Sequence, residues 1–521
     1  MRRDNVSADL SALARSVVCV GFSGATAAQA PLAELRAFAP GGIVLFARNI
    51  GSRAELLELT AALRAIGEVP PLIAVDQEGG RVARISEPSA HALPAAMAIG
   101  AANDVAACER LGRLCGHDLA ALGITVNFAP VGDLALDARN TVIGNRSYGD
   151  DPARVAAFAS AFARGLESAG VAAAIKHFPG HGATHLDSHL TLPRTDVDAT
   201  TLRARDLVPF ADAIINRATS LVMSAHIVVT ALDAERPATL SPRILTQLLR
   251  AECGFDGVVV TDCLEMDAIA EGVGTARAAA LAIGAGADLV LVSHHLDRAA
   301  AAAAAIVAAV ESGEIARARL EEAATRVRAL RGELAQPAPP VDVEDTLPLE
   351  IARRAVTVVR GSHRLRAEKP VTVLSFEGTI ADGAAETRTG SASLSAELRA
   401  RRWKSELMRI PLEPDADDLD LLLAHLPALG DRNFVVVTRR AHLYPGQAAA
   451  VTRIVDALPD AFLVSAREPY DALHWPSARN VMCIYSDEAL AFAGCADVLS
   501  GHATPQGLLP VSLAHGTTIV R

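Results

Sequence analysis

Runs of basic residues interleaved with aromatics are absent from the 521-residue chain, in which aromatics make up only 4%. Lys plus Arg number 49 against 60 Asp plus Glu, a formal charge of -11. Without a cationic stripe to meet a phosphate backbone, no nucleic-acid partner is expected. No stretch reads as a membrane span, because the Ala-rich segment 299–310 is too short and too weakly apolar, so no membrane partner is expected either. A secretory leader is likewise not expected: Asp4, Asp9 and Arg15 interrupt the N-terminal region, and the apolar run 17–22 falls short of the roughly 7 to 15 residues such a core needs. The seven cysteines (19, 108, 115, 253, 263, 483 and 495) are scattered, odd in number and form no C-x-x-C pair. They read as small core residues of a reduced, cytoplasmic protein and exclude a disulfide framework. With no G-x-G-x-x-G after a strand and no Walker loop, no cofactor is expected.

What the chain does have is apolar surface, 51% of residues against 21% charged, enough for an extensive core. Eight short apolar runs recur between longer helical patterns, at 17–22, 42–47, 71–76, 124–130, 171–177, 220–226, 257–262 and 288–294. Each is nearly continuous, as a strand buried on both faces requires. Amphipathic stretches such as 53–66 and 151–168 lie between them. This α/β pattern predicts a (β/α)8 TIM-type barrel over 1–335. Proline-rich, acidic sequence then predicts a linker over 336–350. Further strand-like runs at 355–360, 370–376, 433–439, 461–465 and 480–485, with helices at 416–429 and 447–458, predict a smaller α/β sandwich over 351–521.

In such a barrel the chemistry belongs at the C-terminal ends of the strands. Polar residues gather there repeatedly: Asp76 with Arg84 after strand three, Arg146 in the Gly-bounded loop after strand four, Lys176 and His177 ending strand five, His226 ending strand six, Asp262 ending strand seven. The set points to a polyhydroxylated ligand. Histidines 177, 181, 185 and 189 repeat every four residues, but Pro179, Gly180 and Gly182 break the helix that would align them as metal ligands. No metal is expected. The loop instead carries Asp187 two residues before His189, and the carboxylate can fix the imidazole tautomer and stabilise its cation, a general acid and base near neutral pH.

Five ordered segments, IAVDQEGGRVARI (73–85), IGNRSYGDDP (143–152), AIKHFPGHGATHLDSHLTLP (174–193), VMSAHI (222–227) and VVVTDCLEMDAI (258–269), resemble glycoside hydrolase family 3, and the Asp-Ser-His loop resembles its β-N-acetylglucosaminidase branch. The likeness covers about residues 17–334, and is looser over EIARRAVTVVRG (350–361) and VLSGHATPQGLLPVSL (498–513). It implies a retaining exo-enzyme that removes terminal β-linked GlcNAc from oligosaccharides or muropeptides in peptidoglycan turnover. Asp262 takes the nucleophile position and His189, paired with Asp187, the acid/base position. Asp76, Arg84, Arg146, Lys176 and His177 take positions that hold the sugar, with His226 either joining them or buttressing the mouth. In two-domain β-glucosidase relatives the acid/base is a Glu of the second domain; the Asp187/His189 loop makes that unnecessary, so residues 351–521 are expected to supply no catalytic group. Ala183 departs from an Asp common in the family.

Bland readings stand beside these. Asp262 could cap a helix starting at Cys263; Asp187 could be a loop-capping turn residue and His189 a solvated loop histidine; Arg84 and Arg146 could form rim ion pairs, and Lys176 and His177 could be satisfied core polar groups; Asp133 and Glu265 read as structural. Glycines 79, 80, 180 and 182 read as turn residues with positive φ or close backbone approach. Alternative functions are a phosphorylase with phosphate as acceptor, since a histidine does not repel that anion as a glutamate would, a β-glucosidase or other exo-glycosidase, and an inactive sugar-binding protein. Monomer and homodimer are both compatible with the sequence.

Overall fold

The computed structural model describes residues 2–184, 192–336, 344–378 and 392–513, with side chains from residue 9. Eight parallel strands close into a barrel: β1 (Val18–Val20), β2 (Gly42–Leu45), β3 (Leu72–Val75), β4 (Val126–Asn127), β5 (Ala172–Phe178), β6 (Leu221–Ser224), β7 (Val258–Cys263) and β8 (Leu289–Val292). Each strand pairs with its neighbours in the chain, and Val18 opposite Val290 joins β1 to β8. Seven strands are buried along their whole length and β7 everywhere but at Asp262, which explains the continuous apolar runs: one face fills the barrel and the other meets the helices.

The short β4 has a local cause. The Asn127 side chain accepts the Gln77 N–H and donates to the Gln77 carbonyl, both at 2.9 Å, and replaces ladder bonds at the strand end. Outside, the helices Val105–Ala121 and Pro152–Ser168 cross almost backbone to backbone. A Cβ on Gly112 would lie 2.3 Å from the Phe162 carbonyl oxygen, and one on Gly165 2.2 Å from that of Glu109.

After the helix Arg317–Leu334 the chain enters a six-stranded sheet: β9 (Thr357–Arg360), β10 (Val371–Glu377), β11 (Ser405–Pro411), β12 (Asn433–Thr438), β13 (Phe462–Ser465) and β14 (Asn480–Cys483), in the order β9-β14-β13-β12-β10-β11. All pairs are parallel except β9 with β14. The helix Leu347–Ala355 begins inside the stretch expected as linker. Strand β11 was not among the expected runs. It is an edge strand with only Ile410 buried, so charge interrupts its apolar pattern.

The two parts are joined by direct contacts. Leu508 N–H donates to the Ala101 carbonyl at 2.9 Å, His442 Nε2 to that of Ala138 at 3.0 Å, and Arg81 pairs with Asp487 at 3.2 Å. No helix among the described residues is long and apolar enough to cross a membrane. All seven cysteines are free, six of them buried.

Candidate active site

A cavity of about 380 Å³ opens at the C-terminal ends of the barrel strands. One wall is a chain of alternating charges. Lys176, near the end of β5, places Nζ 2.7 Å from both Asp76 Oδ1 and Glu78 Oε1. Arg146 grips Glu78 with two bonds, Nε to Oε2 at 2.8 Å and Nη2 to Oε1 at 2.7 Å, the fork geometry that makes such pairs strong. Arg84 closes the other end, 3.4 Å from Asp76 Oδ2.

Burial pushes the Glu78 carboxyl up, but the Arg146 and Lys176 charges overcome it and hold Glu78 well below the usual range. Asp76 likewise stays low because Lys176 and then Arg84 outweigh its burial. Lys176 is raised in turn, its two carboxylates outweighing its desolvation. Asp76, Glu78, Lys176 and Arg146 are therefore ionised at neutral pH, with the Arg84 guanidinium beside them. Three cations against two anions leave one positive charge on a wall whose donors are aimed and whose side chains cannot relax into water.

A second, neutral-facing unit lies beside it. Asp133 is buried and accepts the His177 backbone N–H at 3.1 Å, His177 Nδ1–H at 2.6 Å and the His181 N–H at 2.7 Å. His177 thus carries its proton on Nδ1 toward Asp133 and turns Nε2 away from it. Burial pushes the His181 imidazole down to about 4, so it is uncharged at neutral pH; its Nδ1 is 2.7 Å from Thr184 Oγ1. Gly80 and Gly180 adopt the positive φ expected of them, 55° and 122°.

Asp262, near the end of β7, is half-buried on the cavity wall, with Oδ1 accepting the Cys263 N–H at 2.7 Å. The next helix spans Asp267–Ala270, so the alternative of Asp262 as the N-cap of a helix from Cys263 does not hold. His226 is 1% exposed, donates from Nε2 to the Cys263 carbonyl at 2.9 Å and is not among the residues that line the cavity, a position that favours the buttressing alternative. Glu265 does line the cavity, although its oxygens are engaged by the His294 N–H at 2.6 Å and His295 Nδ1 at 2.8 Å. Asp187 and His189 lie outside the described residues.

The structure thus brings together Asp76, Arg84, Arg146, Lys176, His177 and Asp262 on one cavity, lined among the described residues by barrel side chains alone. Sequence reasoning passed over Glu78, His181 and the Phe46 platform. Glu78 had a signal, two positions from Asp76 where an extended chain returns to the same side. Phe46 did not: its ring carries Arg48 at 4.6 Å, Arg84 at 5.5 Å and the His294 ring at 5.8 Å, contacts between the ends of three strands.

A closed parallel barrel with ionisable side chains converging on a cavity at its C-terminal rim is the architecture of TIM-barrel enzymes, whose active sites lie at that rim. Comparison with known proteins carries this further. Residues 18–330 match the glycosyl hydrolase family 3 N-terminal domain. The structure of a glycoside hydrolase family 3 beta-N-acetylglucosaminidase from Paenibacillus sp. str. FPU-7 superposes with a TM-score of 0.90 at 34% identity, covering 98% of this chain and 99% of that one. Beta-hexosaminidase A of Pseudoalteromonas piscicida is 36% identical over 355 residues, 61% of this chain but only 59% of the relative's length. A beta-hexosaminidase of Stenotrophomonas maltophilia (strain K279a) is 43% identical over 262 residues, 49% of this chain and 77% of the relative. The chain belongs to glycosyl hydrolase family 3.

Proposed function

We propose that the protein is a retaining exo-β-N-acetylglucosaminidase that removes terminal β-linked GlcNAc, with peptidoglycan fragments in the cytoplasm as its natural substrate. The observation that carries this reading is the meeting of the Asp262 carboxylate with the Asp76–Lys176–Glu78–Arg146 wall on one cavity. At about 380 Å³ the cavity is near the lower end of the roughly 300 to 1,000 Å³ range of small-ligand sites. It suits one terminal sugar better than a threaded chain, in keeping with exo action. The relatives named above support the choice of sugar.

In this mechanism the Asp262 carboxylate attacks the anomeric carbon while protonated His189 gives its proton to the glycosidic oxygen. The C1–O bond to the leaving group breaks and a C1–O bond to Asp262 forms. His189, now neutral and oriented by Asp187, takes a proton from water, which displaces Asp262 and releases GlcNAc in the β configuration. Asp76, Arg84, Arg146, Lys176 and His177 hold hydroxyls and the N-acetyl group, and Asp133 fixes His177 for that task.

The test is release of p-nitrophenol from the β-GlcNAc and β-glucose aryl glycosides, without and with phosphate, identifying the sugar by mass. The proposal expects free GlcNAc without phosphate. GlcNAc-1-phosphate formed only with phosphate would make the protein a phosphorylase, turnover of the glucoside alone a β-glucosidase, and turnover of neither an inactive sugar-binding protein.

A further inference from the structure

We propose that the second domain, although none of its described residues lines the cavity, positions Arg146 by bracing the turn that carries it, with Glu468 as the central positioning residue. The proposal rests on the reading above that Arg146 holds the sugar.

Residues Gly144–Arg146 form a single 3-10 turn, not a helix or strand that would fix itself. From the barrel side Asn140 Oδ1 accepts the N–H groups of Val142 and Ile143, at 3.1 and 2.9 Å, and Ser147 Oγ donates to the Asp133 carbonyl at 2.6 Å, which secures the approach to the turn and its exit. Asn145, between them, is held from the second domain. Glu468 Oε1 accepts the Asn145 N–H at 3.2 Å, and Asn145 Nδ2 donates to the Tyr485 carbonyl at 2.8 Å. Glu468 is fixed in turn by a fork from Arg440, at 2.7 and 2.8 Å, and Arg440 also reaches the Thr141 carbonyl at 3.3 Å. Both partners of that pair are buried, with 3% of each side chain exposed.

Backbone geometry on both sides supports the brace independently. Gly144 has φ 43°, and a Cβ there would lie 2.2 Å from Glu468 Oε1, so the turn approaches the carboxylate as closely as a glycine alone allows. Arg440 and Tyr485, which follow β12 and β14, hold left-handed conformations at φ 53° and 62° though neither is glycine. Such conformations persist where the surroundings over-determine them and cluster at functional sites. The residue after Asn145 is Arg146, whose guanidinium must meet both Glu78 and the ligand. A shift of the turn therefore displaces a binding group without touching the nucleophile.

The test uses the full chain with Glu468→Gln, and Asn145→Ala as the gentler variant that leaves the Arg440–Glu468 pair intact. Hydrogen exchange of the segment 140–150 reads the brace without any substrate, and steady-state kinetics on the β-GlcNAc aryl glycoside reads its consequence. Exchange in that segment is expected to quicken in both variants. kcat/KM is expected to fall about tenfold, short of the roughly hundredfold that an ångström of misplacement costs. Combined with Arg146→Ala, either change is expected to add little to the loss Arg146→Ala causes alone, the signature of acting through one residue. Unchanged exchange, a lower Tm with unchanged kcat/KM, or losses that multiply with Arg146→Ala would each overturn the brace. Full activity in Arg146→Ala would overturn the reading of the site on which it rests, a separate result.

Discussion

Lys176 is 3% exposed at its side chain and lies between two carboxylates, each of which keeps one further cation, Arg84 beside Asp76 and Arg146 on Glu78. Replacing it with Met fills the space but leaves Asp76 and Glu78 facing each other in a buried site. Lys176→Met is therefore expected to cost about 3 to 5 kcal/mol in denaturant unfolding, the range for breaking a buried pair. His181 makes a different prediction. Its folded value is depressed from 6.5 to about 4, so its contribution is fully present above pH 6.5 and is lost as pH falls toward 4, where the unfolded chain binds a proton that the folded one refuses. That loss amounts to roughly 3 kcal/mol. His181→Asn should flatten the stability profile between pH 6.5 and 4.5, above the range in which Asp76 and Glu78 titrate, as equilibrium unfolding across pH would record. At this scale the residues that end barrel strands were legible because position alone gives them a role. His181 was hidden by a fourfold spacing that its own prolines and glycines made meaningless, and His226 stayed open between two roles because a strand-end histidine can turn inward as readily as toward the mouth.

The barrel strands read clearly from the sequence because both of their faces are buried, and continuous apolar runs leave little else to be. Edge strand β11 lacked that signature, as did the helix Arg2–Ser16, whose first residues are polar and charged. The crossing of Val105–Ala121 and Pro152–Ser168 could not be read at all, because Gly112 and Gly165 look like helix weaknesses until the facing carbonyls are known. Gly165→Ala places a methyl against the Glu109 carbonyl and is expected to destabilise by about 1 to 3 kcal/mol despite the better helix propensity of alanine. Thermal unfolding of that variant decides the sign: a rise in Tm would show that the helices separate freely and that their close approach contributes nothing. The Asp151 cap on the same helix, accepting the Arg154 N–H at 2.7 Å, should be worth about 1 kcal/mol by Asp151→Ala.

Across the whole molecule, the ends of β12, β13 and β14 meet the barrel through Arg440, Glu468, Tyr485 and Asp487. These bonds are buried or half-buried and three of the four involve a charged group, so the two parts are expected to unfold in one calorimetric transition near neutral pH; two separated transitions would show that the interface couples them weakly. Sequence reasoning found the second sheet but not its docking face, since Arg439 and Arg440 acquire meaning only when Asp487, 3.1 Å from Arg439 Nε, and Glu468, forked by Arg440, come beside the turn at Asn145.

In the proposed mechanism Asp262 forms a covalent bond to the sugar. The most direct measurement is to treat the protein with an activated fluoro-substituted N-acetylglucosaminyl fluoride, which slows the second step, then digest it and locate the adduct by tandem mass spectrometry. The account predicts one sugar on the peptide containing Asp262, and none in Asp262→Asn. Inactivation with the sugar on another residue, or turnover of the β-GlcNAc glycoside by Asp262→Asn at the parent rate, would contradict it.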